Sequence, residues 1–138
     1  MPARQTPSAR THAPDAAAIE QLAEAALARL PEQFRALLAG VVLRIEEEPD
    51  EALIAEMELD SVYDLTGLYS GRSLREANSW ASGEPPPMIQ LFRIPLLVEW
   101  VETGVALEEL ITHVIVHEVG HHVGLSNADM HAIEDQVE

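Results

Sequence analysis

Leu107-Glu-Glu-Leu-Ile-Thr-His-Val-Ile-Val-His-Glu-Val-Gly-His-His-Val123 is the stretch on which the reading of this chain turns. Leu107, Leu110, Ile111, Val114, Ile115, Val116, Val119 and Val123 cover most of a helical circumference, which predicts a central, largely buried helix. Inside it lies His117-Glu118-Val119-Gly120-His121. Two histidines four residues apart project from one helix face. Their neutral imidazoles suit one zinc ion, and Glu118 between them stands where it can take a proton from metal-activated water. The plain alternative is two solvent-facing histidines on an amphipathic helix. A buried helix argues against it, because burial sets both histidines at the floor of a cleft.

Catalytic zinc takes three protein ligands and keeps a fourth position for water. Gly124 is placed to end the helix in the left-handed conformation and turn the chain back. In the extended pattern H-E-x-x-H-x-x-G-x-x-H, that turn carries a third ligand six residues beyond the second histidine. The residue there is Asn127, whose amide oxygen brings less charge and basicity to zinc than imidazole or carboxylate. Asp129, His131, Glu134 and a water held by Asn127 stand as replacements or supplements. The expected metal ligands are therefore His117, His121 and Asn127, with His131 and then Asp129 behind Asn127 for the third place. His113 lies one turn before His117, but three successive-turn histidines cannot all reach one tetrahedral ion, so it reads as a supporting or surface residue. His122 points about 100° away from His121 and is not expected to be a ligand. Tyr63 and Tyr69 can polarise a carbonyl, although packing is the default for both.

The 138 residues suit one domain with a real core. Cysteine is absent, which excludes disulfides and thiolate ligands and fits a cytoplasmic protein. Formal charge is −16, and all eight cations are arginines. Such a surface repels phosphate backbones and anionic lipid, so neither nucleic acid nor membrane is an expected partner. No apolar stretch is long enough to span a bilayer. Residues 1–14 carry three prolines and no apolar signal region, and read as a disordered tail before a single domain over 15–138.

Asp15 caps a helical rhythm through Ile19, Leu22, Ala26, Leu30, Phe34, Leu37 and Leu38, broken at Pro31 and closed by Gly40. Val41 to Glu46 alternates as a half-buried strand, and Asp50 caps a short helix through about Met57. The acidic run from Glu46 to Asp50 reads as a solvated face. Leu65 to Ser70 and Met88 to Arg93 are two further strands, with an irregular loop over 71–87 between them. Pro95 starts a helix to about Thr103, which Gly104 ends. Ser126 and Asp129 fit a capping box for a last helix over Asn127 to Val137. The elements add up to an α+β fold, a small sheet packed on helices around the central motif helix.

Taken together, Leu65-Thr-Gly-Leu-Tyr69, Ile89-Gln-Leu-Phe-Arg-Ile-Pro-Leu96 and His117-Glu-Val-Gly-His-His-Val-Gly-Leu-Ser-Asn127 resemble the zincin-like minimal metallopeptidases, small single-domain bacterial proteins. The resemblance spans roughly residues 20 to 136, and the last stretch is its specific part. It implies a compact α+β zincin-like domain with a zinc site in which His117 and His121 match the ligands and Glu118 the base. Asn127 falls where the family has aspartate. The expected function is zinc-dependent peptide hydrolysis, with substrate extended along an edge strand, either Met88–Arg93 or Leu65–Ser70. The atypical residue at 127 favours an alternative, a non-catalytic metal-binding or interaction module on the same fold. A phosphoesterase using the same metal site is disfavoured by the lack of a basic patch.

Overall fold

The alternating run after Gly40 forms β1 (Val42–Glu46), in the computed structural model of residues 12–71, 85–125, 128, 129, 132 and 135. Two further strands, β2 (Gly67–Ser70) and β3 (Met88–Phe92), complete a three-stranded sheet in the order β1-β3-β2. β1 runs parallel to β3, with Leu43 opposite Ile89 and Ile45 opposite Leu91. β2 runs antiparallel to β3, with Tyr69 opposite Ile89 and Gly67 opposite Leu91. These register partners share one face. On it Ile89 and Leu91 are buried, and Leu43, Ile45 and Tyr69 pack against the core.

β3 is the central strand, so its main-chain groups are taken up on both sides. That overturns the expectation that Met88–Arg93 could offer a free edge to a substrate; of the two strands considered, it is β2 that lies at an edge among the described residues.

The helices follow their capping residues. Asp15 accepts from the Ala18 N–H at 2.9 Å to start α1 (Ala16–Ala28), and Asp50 accepts from the Leu53 N–H at 2.8 Å to start α3 (Glu51–Glu56). Pro31 separates α1 from the short α2 (Glu32–Arg35), which passes into a 3-10 turn over Ala36–Leu38. A second 3-10 turn, Val62–Asp64, is held by a capping box between Ser61 and Asp64.

α4 (Arg93–Thr103) begins two residues ahead of Pro95, directly from the end of β3. Pro95 is its third residue, where a backbone N–H has no partner within the helix to lose. The junction is pinned from both neighbouring segments. The Phe92 N–H donates to the Thr66 carbonyl at 2.9 Å, and the Ile94 N–H to the Glu47 carbonyl at 3.0 Å. Arg93 adds a 2.7 Å ion pair with Glu47 and a bond from Nε to the Pro14 carbonyl at 2.8 Å.

α5 (Leu107–Val123) is the motif helix, and Gly124 ends it at φ 84°. It packs against α1, β2 and α4. Leu107, Ile111, Ile115, Val116 and Val119 join Ile19, Ala23, Ala26 and Leu30 of the α1 segment with Ile89, Leu91 and Leu96 in one core. Arg29, just past α1, reinforces that packing with a 2.8 Å bond to the buried Thr112 hydroxyl. The helix is less enclosed than its apolar count suggests, since Glu108, Glu109, His113 and His121 are exposed.

Beyond Gly124, Ala128, Asp129, Ala132 and Asp135 are helical, and the rest of the expected last helix lies outside the described residues. Ser126, Asn127, His131 and Glu134 lie outside the described residues, as do residues 1–11 of the expected tail and 72–84 of the expected loop. No helix among the described residues is long and apolar enough to cross a membrane.

Gly67 marks where α5 comes closest to the sheet. A Cβ built there would overlap Val114 Cγ1 and stand 3.3 Å from the Gln90 carbonyl oxygen. Glycine inside a strand signals such close approach. Gly67→Ala is expected to cost about 1–3 kcal/mol by overpacking, read from urea unfolding. Combined with Val114→Ala, the loss should be smaller than the sum of the two single losses, because the second change removes the obstructing methyl. Strict additivity would place the two residues out of contact.

Candidate functional site

The helical spacing of α5 sets Glu118 and His121 at one wall of a pocket of about 470 Å³. The opposite wall comes from β2 and its flanks, through Leu65, Gly67, Leu68, Tyr69 and Gly71, with Met57 closing one side. The edge strand and the motif helix therefore border the same space. Met57, Leu65 and Leu68 give it apolar surface, and the charged and imidazole groups come from the α5 side.

Glu118 is half-buried, and its carboxylate accepts a hydrogen bond from the backbone N–H of Tyr69. Burial pushes its pKa above the ordinary carboxylate value. The neighbouring His121 charge and the Tyr69 N–H pull it the other way, and burial prevails. His121 is exposed, whereas His117 is half-buried. The His117 ring meets His113 edge-on, with centroids 4.5 Å apart, so the exposed His113 supports His117 from one turn earlier.

His117 and His121 supply two imidazoles one turn apart on the same helix, and this donor chemistry fits zinc. Among the described residues no three His, Cys, Asp or Glu side chains gather into a metal-holding group. Asn127, expected as the third ligand, and His131 both lie outside the described residues. Asp129 is described and exposed.

Two residues have roles that sequence reasoning did not assign. His122 is 1% exposed and uses both ring nitrogens, Nδ1 toward the Tyr69 hydroxyl at 2.9 Å and Nε2 toward the Leu37 carbonyl at 3.0 Å. Its position on the Ile111–Ile115–Val119 stripe is the signal that could have found a buried, satisfied histidine. The Tyr69 hydroxyl is thus engaged with His122, while its backbone N–H serves Glu118. No sequence pattern announces a backbone donor contributed from a distant strand. Tyr63 is 48% exposed and does not line the pocket.

The sequence model of the zincin-like metallopeptidase family matches residues 38–137. That span covers most of the chain and holds the sheet, the pocket and the motif helix. No curated protein matches the chain.

The raised pKa of Glu118 has a consequence for stability. Below the unfolded-state value of about 4.3 the carboxyl is protonated in both states and costs nothing. As pH rises from there through the elevated folded value, the native state loses stability, and above it the full penalty persists. Metal-free Glu118→Gln protein should therefore melt at a higher temperature than the parent at about pH 7.5, with the gain shrinking toward about pH 4. An equal shift at both pH values would mean that the carboxylate carries no burial penalty.

Proposed function

Because the chain belongs to the zincin-like metallopeptidase family, we propose that it is a zinc-dependent peptidase whose active site is the pocket between α5 and β2. The observation that carries this reading is the convergence of Glu118 and His121 with the edge strand on one cavity. Any helix with this motif would place the histidines together; it is the packing of α5 on β2 that gives Glu118 and His121 a pocket in common with a strand.

In this reading His117 and His121 hold the metal, with Asn127 or a water it binds as the third donor. Zinc in that position supplies Lewis acidity toward water and a peptide carbonyl. Glu118 takes the proton from the attacking water, and burial favours this by bringing its proton affinity closer to the working range. The substrate lies extended beside β2, whose Tyr69 N–H is already given to Glu118, while an apolar side chain enters the space near Met57, Leu65 and Leu68. A second reading, a non-catalytic metal-binding module, draws support from the neutral amide at position 127.

Replacing His117 or His121 with alanine should remove most bound metal, because two donors at most remain. Stoichiometric zinc in the His117→Ala protein, measured by mass spectrometry, would remove that residue from the site. Glu118→Gln should retain metal while peptide hydrolysis falls by at least about a hundredfold. Metal-loaded parent protein that cleaves nothing in a broad peptide library would decide for the module. Asn127→Asp should tighten zinc by about 1 kcal/mol or more, since it adds a charged and more basic donor. Unchanged affinity would exclude position 127 as a ligand.

A further inference from the structure

We propose that His122 is a positioning residue for Glu118, acting through Tyr69, which straps across one turn of α5. Glu118 and His122 are four residues apart and so occupy neighbouring positions on one helix face. Tyr69 reaches both, its hydroxyl on His122 and its backbone N–H on Glu118. The inference rests on the reading of Glu118 as the base, but the strap itself is a property of the metal-free fold.

The direction of each bond follows from donor and acceptor chemistry. A carbonyl only accepts, so His122 Nε2 carries the proton that goes to Leu37. In the neutral imidazole Nδ1 is then an acceptor, and the Tyr69 hydroxyl must donate to it. Leu37 is itself fixed within the 3-10 turn before β1, where the Val41 N–H closes onto the Leu38 carbonyl at 3.0 Å. The line of constraint therefore runs from that turn through His122 and Tyr69 to the carboxylate.

The sheet cannot supply this constraint alone. β2 has four residues and, among the described residues, lies at an edge and pairs with β3 on one side only. The Tyr69 N–H points outward to Glu118 while the Leu68 carbonyl of the same peptide faces β3, so the ladder sets the peptide plane, but pairing on that side alone does not clamp β2 against α5. The side chain does: its ring sits 5.4 Å from the buried His122 ring, and its hydroxyl is bonded at the far end. A histidine serving only as core filler would satisfy its nitrogens without any bearing on the base.

Two substitutions separate the halves of His122. His122→Asn puts an amide oxygen near the Nδ1 position and keeps an acceptor for Tyr69. His122→Gln reaches the Nε2 position and keeps the donor to Leu37, but leaves the tyrosine hydroxyl without its acceptor. Tyr69→Phe removes the hydroxyl with little change of shape, and it serves where a His122 variant fails to fold.

The first measurement is the proton–nitrogen NMR spectrum of metal-free protein, with Glu118→Gln as the control that moves the residue-69 amide upfield. Tyr69→Phe and His122→Gln should move the same amide in the same direction, and His122→Asn should leave it near the parent position. The second is steady-state hydrolysis of a peptide by zinc-loaded enzyme. There kcat should fall about tenfold or more in Tyr69→Phe and His122→Gln with KM little changed, and His122→Asn should recover most of the loss. A residue-69 amide that stays in place in Tyr69→Phe while the control moves it would overturn the proposal, whatever happens to the melting temperature. So would equal losses of kcat in the Asn and Gln variants of His122. If the parent cleaves no peptide, the peptidase reading fails by itself, and the amide shift still decides for or against the strap.

Discussion

The close approach of α5 to β2 is the contact on which the rest of this protein depends. It requires a residue without a side chain at Gly67, facing Val114. With that space open, Tyr69 comes within hydrogen-bond reach of α5 at two points, and the pocket between helix and strand takes its shape. A wider separation would strand the Glu118 carboxylate in an apolar setting with no backbone donor. A burial penalty of that kind is tolerable only when hydrogen bonds meet the group.

The rest of the fold holds those two elements in place. β3 pairs with both other strands and continues without a loop into α4, which packs on α5 from a further side. α1 covers another side through Ile19, Ala23 and Ala26, and Arg29 ties its end to Thr112. The motif helix is thus fixed by apolar packing along most of its length, and its polar groups are displayed where that packing stops. Such rigid support is what a metal site needs, because ligand geometry must be maintained by neighbours and not by the ligands themselves.

The two motif histidines and the glutamate between them sit in different settings. His121 is exposed, His117 is half-buried beside His113, and Glu118 is drawn inward against Tyr69. Local stability is sacrificed at Glu118, where burial disfavours the charged form that water and an open surface would favour.

Much of the architecture was readable from local pattern. Alternation located the three strands to within two residues, Asp15 and Asp50 announced their helices, and Pro31, Gly104 and Gly124 marked breaks and ends that the structure has. The i, i+4 spacing of His117 and His121 likewise settles by itself that they share a helix face. These features depend on residues within a turn or two of one another, where the periods of helix and strand translate spacing into geometry. Strand order, and with it the demotion of Met88–Phe92 from candidate edge to sheet centre, does not follow from any such period. Nor do the bonds of His122 to Tyr69 and Leu37, which join residues 53 and 85 positions apart, or the donor that Tyr69 brings to Glu118. Sequence alone therefore determined which residues could do chemistry, because that is a matter of residue type and local spacing. Tertiary packing alone decided what each of them faces, because contacts between distant segments exist only once the shared core has brought their backbones together.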